Sequence, residues 1–204
     1  MTDVRPASID VQSVSHDQRR YRGGRNVRRR SPAWKQCQRR DLPRTAGLAY
    51  DGDGLRSKGW GFPLTLKGKQ GQPLKPKPLN NTRADKLGSG FWKASFVNRR
   101  CLIPLNAFAE AEGAKGSKTR TWFSLPDQPV FTAAGIWRDS AEWGRVYSMV
   151  MTDACIAVED IHDRSPVPIS PGNRTLRLAG DPEEAKALCA PYRGEMAIDR
   201  TQTP

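Results

Sequence analysis

Long apolar runs are absent from this sequence. Nothing in its 204 residues approaches the 18 or so consecutive apolar side chains that a spanning helix needs. The first residues contain no apolar stretch of the kind a secretory signal carries, so a cytoplasmic chain with no membrane partner is expected. Cysteine is scarce and scattered. Cys37, Cys101, Cys155 and Cys189 form no CxxC pair, which argues against both a structural zinc site and a disulfide framework. No metal, no cofactor and a monomeric chain are the resulting expectations. Histidine occurs only twice, and acidic side chains are in the minority: 21 Asp and Glu against 34 Lys and Arg, a net charge of +13. With a pI near 10.1, the partner such a chain suits is a polyanion, nucleic acid foremost.

The positive charge is unevenly spread. Residues 1–45 hold twelve Lys or Arg against four Asp, with Arg28-Arg29-Arg30 following Gly23-Gly24 and few large apolar side chains. This segment, 1–46, reads as a basic, disordered arm or as a stretch unrelated to the rest. Residues 47–204 have the texture of a folded domain. Gly47 to Gly61 reads as a β-hairpin turning at Asp51-Gly52-Asp53-Gly54. The stretch Lys67 to Pro78 is a basic Pro/Gly loop with no regular element expected, and its Lys75 and Lys77 are candidates for a phosphate path. A short helix is expected around Phe91 to Phe96. One strand is expected from Cys101 through Glu112, and others over Thr119 to Leu125, Val130 to Trp137 (returning from the one before it) and Arg145 to Thr152. A further short helix over Ala154 to Ile161 would deliver His162, and Asp181-Pro182 should cap and open a last helix. Short strands between Gly/Pro turns make the fold class α+β and β-rich: an antiparallel, barrel-like sheet with a few short helices.

Two positions carry chemistry. In the predicted strand, Glu110 shares a face with Phe108, and a carboxyl among apolar neighbours has its pKa raised by desolvation. His162 sits between Asp160, Asp163 and Arg164, where a carboxylate can orient the ring.

Seven segments in order resemble one family: Trp60-Gly61, Asn81-Thr82-Arg83-Ala84-Asp85, Arg99 to Pro104, Phe108-Ala109-Glu110, Ala134 to Trp137, Met151-Thr152, and Ile161 to Val167. Together they are similar to the SOS response-associated peptidase (SRAP) family of abasic-site processing proteins. The resemblance implies a groove for single-stranded DNA bearing abasic sites, and a nucleoid location when bound. It also implies a peptidase-like hydrolase or lyase with N-terminal self-processing. In the family, a Cys after the initiator Met attacks the sugar aldehyde through its α-amine, and its thiol then closes a thiazolidine. Carried over, Asn81, Glu110 and His162 are the expected catalytic residues. Asn81 would hold the N-terminus and sugar, Glu110 would serve as general acid and base, and His162 would move protons around the Schiff base. Arg83 and Arg164 would contact phosphate, and Trp60 would stack on a base or sit buried in the sheet. Four departures stand out: Thr2 occupies the position of that Cys, Ser165 stands where Met or Arg is common, Ala111 replaces a Trp, and Ala109 replaces an aromatic. The competing expectation is a non-catalytic single-stranded DNA-binding module, or a fragment whose start is mis-assigned and whose first family strand is missing.

Overall fold

The hairpin predicted at the start of the domain is present, and the rest of the sheet grows from it. In the computed structural model, which describes residues 46–114 and 117–201, β1 (Ala46–Tyr50) and β2 (Leu55–Trp60) pair antiparallel from Ala46↔Gly59 to Tyr50↔Leu55. Gly52 takes the turn with φ +98°, a conformation that costs a residue without Cβ little. Next come β3 (Phe62–Leu64), β4 (Lys77–Leu79), β5 (Asn81–Arg83), α1 (Gly90–Asn98), β6 (Arg100–Leu105), β7 (Phe108–Glu112), β8 (Thr119–Ser124), β9 (Phe131–Ser140) and β10 (Gly144–Asp153). The chain ends with β11 (Arg164–Pro166), β12 (Pro168–Ile169), α2 (Arg174–Ala179), α3 (Pro182–Ala187) and β13 (Ala197–Thr201). The described residues fall within one compact unit.

The main sheet runs β11-β10-β2-β1-β6-β9-β12, with β5 added to β10. Because β10 also pairs with β9, the order β10-β2-β1-β6-β9 turns back on itself and the sheet is partly ring-like. Its two weakest seams are short: Tyr50↔Leu102 joins β1 to β6, and Val146↔Gly59 with Tyr147↔Trp60 joins β2 to β10. Side chains alternate across β10, and this separates two cores. Tyr147, Met149 and Met151 join Trp60, Cys101 and Ile103, and the three-stranded sheet β13-β8-β7 adds Phe108 and Phe123 to that face. Val146 and Val150 join Phe62, Leu102, Ile136 and the Trp92 and Phe96 side chains of α1 on the opposite face. Two buried arginines tie α2 to this second core. Arg177, fully buried, donates to the Gly135 carbonyl at 3.0 Å, and Arg100 donates to the carbonyls of Leu178 (3.3 Å) and Gly180 (2.6 Å).

The β-rich α+β class is as expected, and several local expectations need correction. The sheet is mixed, since β10 pairs parallel with both β2 and β5. Such pairings join segments far apart in sequence and leave no mark on local pattern. The basic stretch Lys67 to Pro78 is partly regular: Lys77 and Pro78 sit in β4, opposite Leu64 and Pro63 of β3. A two-stranded edge tolerates proline because it needs no second row of donors. The strand expected over Cys101 to Glu112 is two strands in different sheets, broken where Asn106 Nδ2 donates to the Pro129 carbonyl. β9 does not return along β8. It pairs with β6 and β10 instead. Ala154 to Ile161 forms successive turns, with Val158 and Glu159 amides donating to the Cys155 carbonyl and Ile161 and His162 amides to that of Val158. Asp181 caps α3 as predicted, its side chain accepting from the Glu183 amide at 2.8 Å. The expectation for residues 1–46 lies outside the described residues, except that Ala46 opens β1.

Gly61 links the hairpin to β3. Its φ is +112°, and a Cβ there would lie 2.6 Å from Pro78 Cβ and 2.9 Å from Asn80 Oδ1. Gly61→Ala is therefore expected to cost about 1–3 kcal/mol. A thermal melt of the variant checks this, and an unchanged midpoint would contradict it.

Candidate active site

One carbonyl fixes the start of the site. Asn80 O accepts from Trp60 Nε1 at 2.9 Å, from the Met149 amide at 3.0 Å and from Ser148 Oγ at 3.1 Å. These three donors pin the chain at the entrance to β5, which then runs parallel to β10 as Asn81↔Met149, Thr82↔Val150 and Arg83↔Met151. Alternation buries Thr82 and places Asn81 and Arg83 together on the other side. The Asn81 Oδ1 atom is buried and has no hydrogen-bond partner among the described residues. An acceptor in that state favours any donor that reaches it.

β11 lies on the opposite edge of β10, with Thr152↔Ser165 and Asp153↔Arg164. Arg83 and Arg164 thus reach the same place from two strands. They line a cavity of about 340 Å³ with Asp85, Thr152, Asp153 and Lys186. Arg83 is held in a two-pronged pair with Asp85, at 2.7 and 2.6 Å, and both side chains are about half exposed. That hydrogen-bonded pair lifts the guanidinium pKa above its ordinary value, and Asp153 and Asp163 add to it. Ser165, read in the sequence only as a departure, is fully buried, and its Oγ accepts the Cys155 amide at 3.2 Å. It thereby ties down the turns that lead into His162.

The His162 ring is steered through one nitrogen. Nδ1 lies 3.0 Å from the Arg164 amide, which donates to it, and 3.1 Å from the Arg164 carbonyl. Asp163 Oδ1 is 3.4 Å away. A neutral ring accepts the amide at Nδ1 and keeps its proton on Nε2. The other neutral tautomer carries the proton on Nδ1, donates it toward the Arg164 carbonyl and leaves the Nε2 lone pair free. Either way Nδ1 orients the ring.

Glu110 follows the predicted alternation: Phe108 and Glu110 are buried and Ala109 is half-buried. Burial raises its carboxyl above the ordinary 4.5; His162 within electrostatic reach opposes that rise and Asp163 adds to it. Its neighbour on the same face behaves oppositely. Glu112 accepts from Thr121 Oγ1 and from Arg200 Nε at 3.2 Å, and these donors hold its carboxyl below the usual range. Two carboxyls two residues apart are thus driven in opposite directions.

Asp163 is the common neighbour of the group, lying within electrostatic reach of both Glu110 and Arg83. The structure therefore gathers Glu110, His162, Arg83 and Arg164, with Asn81 on the same face of β5 as Arg83. Trp60 belongs to the core: it is 5% exposed and stacks on Tyr147 with ring centroids 6.4 Å apart. Its contact with the site runs through Asn80 O. Lys75 and Lys77 are exposed around β4 and do not line the cavity. Asp153, Lys186 and the seat of Ser165 were not anticipated; only the position of Asp163 beside His162 was marked in the sequence. Among the described residues no group of three or more His, Cys, Asp or Glu could hold a metal ion, and no helix is long and apolar enough to cross a membrane.

This is a β-rich α+β domain with a buried carboxyl near a seated histidine, beside two arginines that line one cavity. The comparisons give it a family. The SOS response associated peptidase (SRAP) family matches residues 11–203, and the chain belongs to that family. It is thus a member of a peptidase-like family tied to the response to DNA damage. The match reaches into the basic N-terminal stretch. No curated protein matches the chain. Among solved structures, a protein of Bordetella bronchiseptica is similar at 20% identity, with 79% of this chain and 86% of that one covered and a TM-score of 0.67. A protein of Bacteroides thetaiotaomicron is similar at 18% identity, covering 76% and 73%, with a TM-score of 0.62. A phage-related protein of Bordetella bronchiseptica shares 18% identity over 79% of each chain, with a TM-score of 0.54. At these identities the likeness is one of fold.

Proposed function

We propose that this chain recognises abasic sites in single-stranded DNA and that Glu110 and His162 move protons while an amine condenses with the sugar aldehyde. The observation that carries the reading is the buried Glu110 carboxyl, raised by desolvation and within electrostatic reach of His162. An amine adding to the C1′ aldehyde gives a carbinolamine, which must lose water to form the imine. Glu110, its pKa raised by burial, can donate in its protonated form to the departing hydroxyl. His162 can take the proton released by the attacking nitrogen at Nε2 when its Nδ1–H donates to the Arg164 carbonyl. Arg83 and Arg164 supply charge for the flanking phosphates, and Asn81 Oδ1 is an acceptor for the amine or a sugar hydroxyl.

The test is a denaturing gel of the protein with single-stranded DNA carrying one abasic site, with and without borohydride. A heat-stable adduct without reductant is the outcome for an amine and thiol on one residue, which can close the imine into a ring. An adduct trapped only by borohydride would mean that the imine forms and is not sealed. DNA retained with no adduct in either lane would overturn the chemistry and leave a binding module.

A further inference from the structure

Lys186 lies in the last helical segment, where nothing in the sequence pointed to DNA, yet it lines the same cavity as Arg83 and Arg164. The three cations come from separate parts of the fold: β5, β11 and α3. Arg83 is already paired with Asp85, and Arg164 faces Asp163 at 3.7 Å. The Lys186 ammonium has no ion-pair partner among the described residues. The acidic groups facing the cavity are Asp85 and Asp153, so the lining holds three cations against two carboxylates.

The helix that presents Lys186 is held on several sides. Asp181 caps its first turn, and Ala185, next to Lys186, is fully buried. Arg100 holds the preceding Gly180 through its carbonyl at 2.6 Å. A Cβ on Gly180 would lie 2.4 Å from Leu176 Cδ1, so the turn between α2 and α3 is closely packed. Lys186 therefore projects from a fixed backbone position.

We propose that Lys186, with Arg83 and Arg164, forms a subsite for a backbone phosphate of the single strand next to the lesion. The α3 segment is then part of the DNA-binding surface. With Arg83 bound to Asp85 and Arg164 beside Asp163, the Lys186 ammonium is the cation of the three without an ion-pair partner among the described residues, and it can meet the single negative charge of a phosphate diester. The inference rests on the DNA-binding reading above and assigns Lys186 to binding, with no part in proton transfer.

The experiment measures binding of the full chain to a fluorescent single-stranded oligonucleotide without a lesion, by anisotropy across a salt series. Each phosphate neutralised on a single strand contributes about 0.7 to the slope of log K against log salt. Lys186→Gln is expected to lower that slope by about 0.7 and to weaken binding at low salt, whereas Lys186→Arg keeps both. Lys93→Gln, an exposed lysine on α1, is the charge control and should leave the slope unchanged. Circular dichroism melts confirm that each variant is folded. If Lys186→Gln retains the parental slope while Arg83→Gln lowers it, the role of Lys186 is overturned and DNA binding stands. If the parent chain itself shows no salt-dependent binding, the DNA reading falls and takes this subsite with it.

Discussion

Glu110→Gln should melt at a higher temperature than the parent at pH 7.5, show no such advantage near pH 4, and form the proposed adduct about 10²–10⁴-fold more slowly. The thermal part follows from linkage. Glu110 has a folded pKa raised above its ordinary 4.5, and burial is the main cause. Below that ordinary value both folded and unfolded states carry the proton, and burial of the neutral acid costs little. As the pH climbs from about 4.5 through the raised folded value, the unfolded chain gives up its proton first and stability is lost. Above the folded value the full cost of a desolvated carboxylate is present. Gln is close in shape, never ionises, and escapes that cost.

The kinetic part has the opposite sign, and their combination is what makes the test informative. A residue kept for packing would lose stability on replacement. A residue kept for proton transfer, at a cost to the fold, should gain stability and lose rate. Binding of lesion-free DNA should not weaken, because no positive charge is removed. Melts at two pH values, adduct formation over time and anisotropy separate these effects. Adduct formation within a few-fold of the parent would end the proton-transfer role, and an unchanged melting midpoint at pH 7.5 would end the buried-charge argument.

How legible the molecule was depends on how local each feature is. The β1–β2 hairpin, the alternation of Phe108, Ala109 and Glu110, and the Asp181 cap are each specified within a few residues, and all were readable. Partners chosen across the chain were not. Nothing near Asn81 announces that β5 lies parallel to β10, or that the Asn80 carbonyl gathers donors from Trp60, Ser148 and Met149. The Trp60 ring was a stacking candidate because an aromatic beside glycine suits a base as well as a core, and only the fold decides. Lys186 was invisible for the same reason: on its own helix it is one polar position among several. Order of motifs carried the family further than any element assignment, since seven short matches survive an error in one strand.

Lys58→Met should damage the fold severely, at about 3–5 kcal/mol. Lys58 and Asp51 form an ion pair of 2.7 Å whose side chains are 0% and 1% exposed. Lys58 also reaches the Ala49 carbonyl at 3.4 Å and lies 5.5 Å from the centre of the Trp137 ring. Burial pushes the Asp51 carboxyl up, but its bond to Lys58 and the nearby charge outweigh this and hold it below the usual range. Met fills the space of the lysine stem and leaves Asp51 as an unpaired buried charge. At about 2–4 °C per kcal/mol for a chain of this size, the midpoint should fall by roughly 6–20 °C. Removing the second charge as well, in Lys58→Met with Asp51→Asn, should recover most of the loss, because Asn still offers an oxygen to the Asp53 amide that Asp51 now holds. The sign with pH is fixed too. A carboxyl with a depressed folded pKa stabilises above its ordinary 3.8 and loses that contribution as the pH falls through the folded value. The gap between parent and Lys58→Met should therefore narrow in strong acid. A single variant that melts with the parent at neutral pH would show that the pair contributes nothing net. The consequence reaches the site, since Lys58 and Trp60 share one face of β2 and Trp60 donates to the carbonyl that seats Asn81. Loosening the pair should disturb Asn81 before it disturbs His162, whose turns are tied separately to Ser165.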